Sequence, residues 1–203
     1  MTEPLKHGIS YHIYNRGNNR ENIFIEERNY RYFLELYSKH IVPIVDTYAY
    51  CLLRNHFHFL IRVKTVTEQD PNLTGLQDLT GLIREPSQAF SNLFNAYTKA
   101  INKTYGRTGA LFQRPFGRLD VKTDRYFRSL AIYIHQNPQK HGFVEDFRHW
   151  PYSSYPTVLS LQKTLLQRDD VLTWFANRSG FLTAHEQVIG QHLVRDFVPD
   201  DPD

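Results

Sequence analysis

A chain of 203 residues with 41% apolar side chains and a single cysteine is sized for one domain, or for one domain and a terminal extension. These figures exclude a disordered chain, a fibre, an intramolecular disulfide and any Cys-rich metal site. No apolar run approaches the ~20 residues of a membrane span, and the first residues have no apolar stretch of the secretory kind, so the expected compartment is the cytoplasm. Net charge is only +3, yet eight cations stand against two carboxylates between Lys99 and Arg128. With Tyr105, Phe112, Phe116, Tyr126 and Phe127 interleaved, that stretch suits a phosphate backbone with unstacked bases. It suits a solvated basic surface equally well.

In chain order, residues 8–15 alternate as a first strand and end in the turn Arg16-Gly17-Asn18-Asn19. From Glu27 to His40, Tyr30, Phe33, Leu34, Leu36 and Tyr37 recur at helical spacing. Residues 44–53 and 56–63 are rich in β-branched and aromatic types, and the short Arg54-Asn55 join predicts an antiparallel hairpin. Residues 64–86 read as a long polar loop. A helix is predicted over 87–105, broken by Gly106 and Gly109, and a strand near 116–121. Asp124 stands where an N-cap belongs, before a helix that Asn137-Pro138 is expected to end. After Trp150 the chain reads as an extension with a short helix near 171–176. The predicted fold is α+β: a ferredoxin-like antiparallel sheet covered by helices, with a C-terminal extension.

Two stretches carry candidate chemistry. On a strand, His56 and His58 share one face while Phe57, Phe59 and Ile61 point the other way. Two neutral imidazoles so placed can chelate a divalent ion, although the same spacing also fits a packed structural strand. Tyr133 and Asn137 lie one helical turn apart and share a face. An amide oxygen there could complete a metal site beside the tyrosine hydroxyl. A phenol with a pKa near ~10 needs a nearby cation to become a nucleophile at neutral pH. Thirteen tyrosines leave packing as the competing role for any one of them. His185 shows no partner.

The combination resembles the single-tyrosine HUH transposases, and within them the REP-associated tyrosine transposases. The similarity is carried by His56-Phe57-His58, by Tyr133 with Asn137-Pro138, and by four further segments in order. These are Tyr11–Gly17, Ala49–Asn55, Gly109–Phe116 and Trp150–Tyr155. It implies a transposase-like domain over 1–156 and leaves 157–203 as the extension. It further implies that His56, His58 and Asn137 hold Mg²⁺ or Mn²⁺, with Gln136 the neighbour to watch. Tyr133 would attack single-stranded DNA to give a 5′-phosphotyrosine, with Tyr126 as the alternative nucleophile. The implied partner is single-stranded or hairpin DNA bound by a monomer rather than a dimer, with backbone contacts from Arg16, Arg114, Arg118 and Lys122. Phe112 and Tyr126 are candidates for base stacking or for packing. Two other readings stand beside this one: a catalytically idle hairpin binder, and a small-molecule phosphoesterase using the histidine pair.

Overall fold

Alternating β-branched and aromatic residues build four strands, and the structure, a computed structural model, describes residues 3–70 and 85–187. The strands are β1 (Ser10–Arg16), β2 (Val45–Leu52), β3 (His56–Val63) and β4 (Gly117–Asp120). They pair antiparallel in the order β2-β3-β1-β4, the ferredoxin-like arrangement in which α1 (Glu27–His40) and α3 (Pro86–Tyr105) make the two crossovers. Between them lies the four-residue helix α2 (Val66–Gln69). Beyond the sheet follow α4 (Asp124–Lys140), α5 (Tyr155–Leu159), α6 (Arg168–Trp174) and α7 (Arg178–Glu186).

The register divides the sheet's two faces by chemistry. Arg16 lies opposite His56, Tyr14 opposite His58 and His12 opposite Leu60, so these side chains share a face. The other face belongs to Phe57 and Phe59, which meet α1 through Phe33 and Tyr37 and α3 through Phe94. There Phe24, Phe33, Phe57, Phe59 and Tyr97 are almost wholly buried. Helix α4 covers the histidine face, with Tyr133 against His58 and Asn137 against His56.

Several local expectations change. The helix-ending role of Asn137-Pro138 is corrected: α4 runs on to Lys140 with Pro138 inside. Pro138 falls in the last turn, so its missing N–H removes only one bond of the ladder, and its buried ring packs in the interior. The N-cap is Thr123, whose hydroxyl accepts the Tyr126 N–H, while Asp124 supplies the first-turn negative charge. Part of the expected loop over 64–86 is α2, opened by a reciprocal Thr65–Glu68 capping box, and its stretch 71–84 lies outside the described residues.

The C-terminal part carries more helix than expected. Helices α5 and α7 escaped prediction because they are short and only a few of their residues are buried. The segment from Trp150 to Ser154 runs along the free edge of β2. The indole of Trp150 donates to the Leu52 carbonyl, Leu52 N–H to Tyr152, and Ser154 N–H to Tyr50. That closes an edge which would otherwise present unpaired backbone groups. Val171 and Phe181 are buried in the same hydrophobic cluster as the sheet.

Candidate active site

Four side chains from two separated stretches, β3 and α4, converge between the sheet and the helix. The strand period delivers His56 and His58, and the helix period delivers Tyr133 and Asn137. The Tyr133 ring stands edge-on to His58 with centroids 5.5 Å apart. The Lys140 ammonium lies 5.3 Å from the centre of the Tyr133 ring, a cation–π contact. His56 Nε2 and Asn137 Oδ1 are 3.0 Å apart. All four residues are buried, Tyr133 to 4% exposure.

The hydrogen bonds around the histidines define what the site can hold. Asn55 Oδ1 lies 2.8 Å from His56 Nδ1, and a carbonyl oxygen only accepts, so that nitrogen carries a proton. In the neutral ring Nε2 then presents a lone pair to Asn137 Oδ1, another acceptor. Two acceptors at that distance repel unless a proton or a cation lies between them, or the Asn137 amide turns to offer its Nδ2–H. His58 Nδ1 is paired with His12 Nε2 at 2.9 Å, while His58 Nε2 and Asn137 Nδ2 are buried without a hydrogen-bond partner. Burial, reinforced by the neighbouring His12 and His56, drives the His58 pKa well below its usual value and keeps the ring neutral. A hard octahedral cation bound at ~2.1 Å needs adjacent donors about 3 Å apart, which matches the His56–Asn137 separation. Among the described residues no three His, Cys, Asp or Glu side chains form a metal-holding group, and a metal at the His56–His58 pair would need the Asn137 amide as its third protein donor. The residues fit a hard divalent ion.

Sequence reasoning missed the support around these four. His12 orients His58, Asn55 orients His56, and the His141 ring lies 4.9 Å from that of His56. His12 was visible as one of the alternating residues of β1, but only the strand register brings it beside His58. Tyr14 lies tilted against His12 with centroids 5.0 Å apart, and its ring crosses Gly117 of β4, where any Cβ would fall inside it.

The expected DNA-contacting residues lie in three places. Arg16 sits at the end of β1, directly across from His56. Arg114 is exposed, donates to Asn95 Oδ1 at 3.2 Å, and lines a cleft of about 270 Å³ with Asn15, Asn95, Gln113 and Phe116. Arg118 lines the same cleft but is turned inward. Its guanidinium lies 3.9 Å from the Phe116 ring centre and donates to the Glu3 carbonyl and to Ser87 Oγ. Lys122 stands apart on the surface, 3.8 Å from Asp120. Phe112 is buried among Phe57, Phe94 and Tyr97, which is a packing position.

No family model matches the chain. A Haemophilus influenzae protein named a REP-associated tyrosine transposase is 29% identical over 110 residues, which cover 54% of this chain and 58% of that relative's length. A solved REP-associated tyrosine transposase, bound to a REP hairpin, aligns over 94% of this chain and 98% of its own with a TM-score of 0.54. At 19% identity that alignment speaks for the fold. The chain is thus similar, in sequence over half its length and in fold over nearly all of it, to the REP-associated tyrosine transposases.

Proposed function

We propose that this chain is a metal-dependent single-stranded DNA nicking and joining enzyme, acting at hairpin-containing DNA through Tyr133. The observation that carries the reading is the convergence of Tyr133 and Asn137, one turn apart on α4, on His56 and His58 of β3. A similar protein is described bound to a REP hairpin, which makes hairpin DNA the first partner to try.

In the proposed reaction the Tyr133 phenol oxygen forms a bond to a backbone phosphorus, and the bond from that phosphorus to the 3′ oxygen breaks. The phenol loses a proton and the 3′ oxygen gains one, so the products are a 5′-phosphotyrosine and a 3′ hydroxyl. One phosphodiester replaces another, so a second 3′ hydroxyl can reverse the step without a nucleotide cofactor. His56, His58 and Asn137 would hold Mg²⁺ or Mn²⁺. Such an ion supplies polarisation of a phosphate oxygen and neutralises its charge. The protein's own groups do the rest. His12 and Asn55 fix the imidazole orientations, Lys140 brings a positive charge close to the Tyr133 ring, and burial under α4 keeps water from competing. Arg16 and the cleft with Arg114 are the nearest candidates to carry the strand past the site.

The test is incubation of the purified protein with Mn²⁺ and hairpin or single-stranded oligonucleotides, followed by a denaturing gel. A heavier covalent species that vanishes with chelator and in Tyr133→Phe is the expected result. Hairpin binding without any adduct would instead establish an idle binder. Among the described residues no helix is long and apolar enough to cross a membrane.

A further inference from the structure

The most unusual polar feature outside the site is a chain of buried side chains on the far side of α4. Ser154, His135 and His185 are at most 1% exposed, yet they lie among Tyr155, Phe175 and Phe181. Ser154 Oγ is 2.8 Å from His135 Nε2, and His135 Nδ1 is 2.8 Å from His185 Nε2. His185 Nδ1 in turn lies 2.7 Å from the Phe181 carbonyl, and the Tyr50 N–H donates to Ser154 Oγ at 2.8 Å.

The shortest of these contacts set one proton arrangement, with the Tyr50 carbonyl, 3.2 Å from Ser154 Oγ, as the competing acceptor for the hydroxyl. A carbonyl only accepts, so His185 Nδ1 carries hydrogen and its Nε2 accepts in the neutral ring. Burial keeps the His185 ring neutral at physiological pH. His135 Nδ1 must then donate to His185, which leaves His135 Nε2 to accept the Ser154 hydroxyl. Every member donates once in the same direction, from β2 through Ser154 and α4 to α7. Such a chain is satisfied throughout, and loses its partners stepwise if any member moves. Next to it, Gln136 Nε2 donates to the carbonyls of His185 and Gln187 at 3.0 and 2.9 Å. Consecutive residues of α4 therefore grip α7, while Tyr133 and Asn137 look the other way toward the sheet.

We propose that α7 is a positioning element for the active site. The Tyr50–Ser154–His135–His185–Phe181 chain fixes the rotation of α4 about its axis, and so sets the reach of Tyr133 and Asn137 to the histidine pair. The inference rests on the proposed roles of those residues. It gives the C-terminal part of the chain a task in the chemistry, with His135 and His185 acting through α4 and touching no substrate.

The test compares His185→Leu with His185→Gln. Leucine removes both polar ends, whereas glutamine keeps one acceptor for His135 and one donor for Phe181. Two quantities are read well below each variant's Tm: the single-turnover rate of adduct formation, separately from its amplitude, and Mn²⁺ affinity without DNA. We expect His185→Leu to slow the rate about tenfold to a hundredfold, with oligonucleotide affinity unchanged, and to weaken Mn²⁺ binding. We expect His185→Gln to restore both to within about threefold. A leucine variant that loses only amplitude or Tm, with rate and Mn²⁺ affinity as in the wild type, overturns the proposal and leaves the chain a structural one. Absence of any wild-type adduct, with Mn²⁺ affinity still lost in the leucine variant, would refute strand cleavage but support positioning.

Discussion

The two faces of one sheet use the same residue period for opposite ends. On the α1 and α3 side, Phe57 and Phe59 interlock with Phe33, Tyr37 and Phe94, and nothing there needs a partner beyond contact. On the α4 side, His56 and His58 are equally buried, but each ring must be told where its proton sits, by Asn55 and by His12. One face is held by area and shape, the other by direction. Stability and chemistry can therefore be perturbed separately, although the responsible residues alternate along a single strand.

The sharpest way to break that comparison is at the chemical face. Tyr133→Phe should abolish covalent attachment, a loss of at least about a thousandfold, while far-UV circular dichroism and hairpin binding stay as in the wild type. Retained adduct would move the nucleophile elsewhere, with Tyr126 next to try. On the opposite face, Phe59→Ala should cost roughly 3–5 kcal/mol in urea unfolding, because its ring is 1% exposed and stacks on Tyr37 at 4.4 Å. A loss below about 1 kcal/mol would mean that this face is not the stabilising one.

Acid should weaken the fold through α7. Burial pushes His185 down to about 4 from an ordinary value of 6.5, so the unfolded chain binds its proton first. The contribution of neutral His185 is complete above pH 6.5 and fades as pH falls toward 4, about 3 kcal/mol in all. Urea midpoints measured across that window in His185→Gln should show a flatter acid limb than the wild type. An unchanged slope would assign the acid sensitivity to other groups. The smallest expected effect is at the cleft. Arg114→Ala should weaken binding of all oligonucleotides alike and lower the salt dependence by about one ion. A change confined to one sequence would make Arg114 a base reader instead.

How far the sequence could be read follows from the range of each signal. The β3 alternation and the α1 and α3 periodicities are local, and they predict three elements to within a residue or so. His56, His58, Tyr133 and Asn137 were legible as pairs because each pair lies within one period of its own element. Their approach across the sheet rested on resemblance, since it depends on how α4 crosses β3. His12 and the His135–His185 contact were not legible. The first depends on register between β1 and β3, and the second joins residues 50 apart in the chain. Pro138 misled because the rule against proline applies to a helix interior, and here the helix had one turn left to run.

The four-residue interval from Tyr133 to Asn137 is also a spacer of fixed length. One residue inserted within it would swing Asn137 about 100° around α4, away from His56, with composition and apolar content barely altered. The turn between Gly106 and Gly109 holds no such interval, and is tied instead by the Arg107–Glu21 ion pair and the Asn102 amide donating to the Gly109 carbonyl. A length change is therefore expected to cost the turn a few surface bonds, but to cost the Tyr133–Asn137 interval its alignment with the sheet.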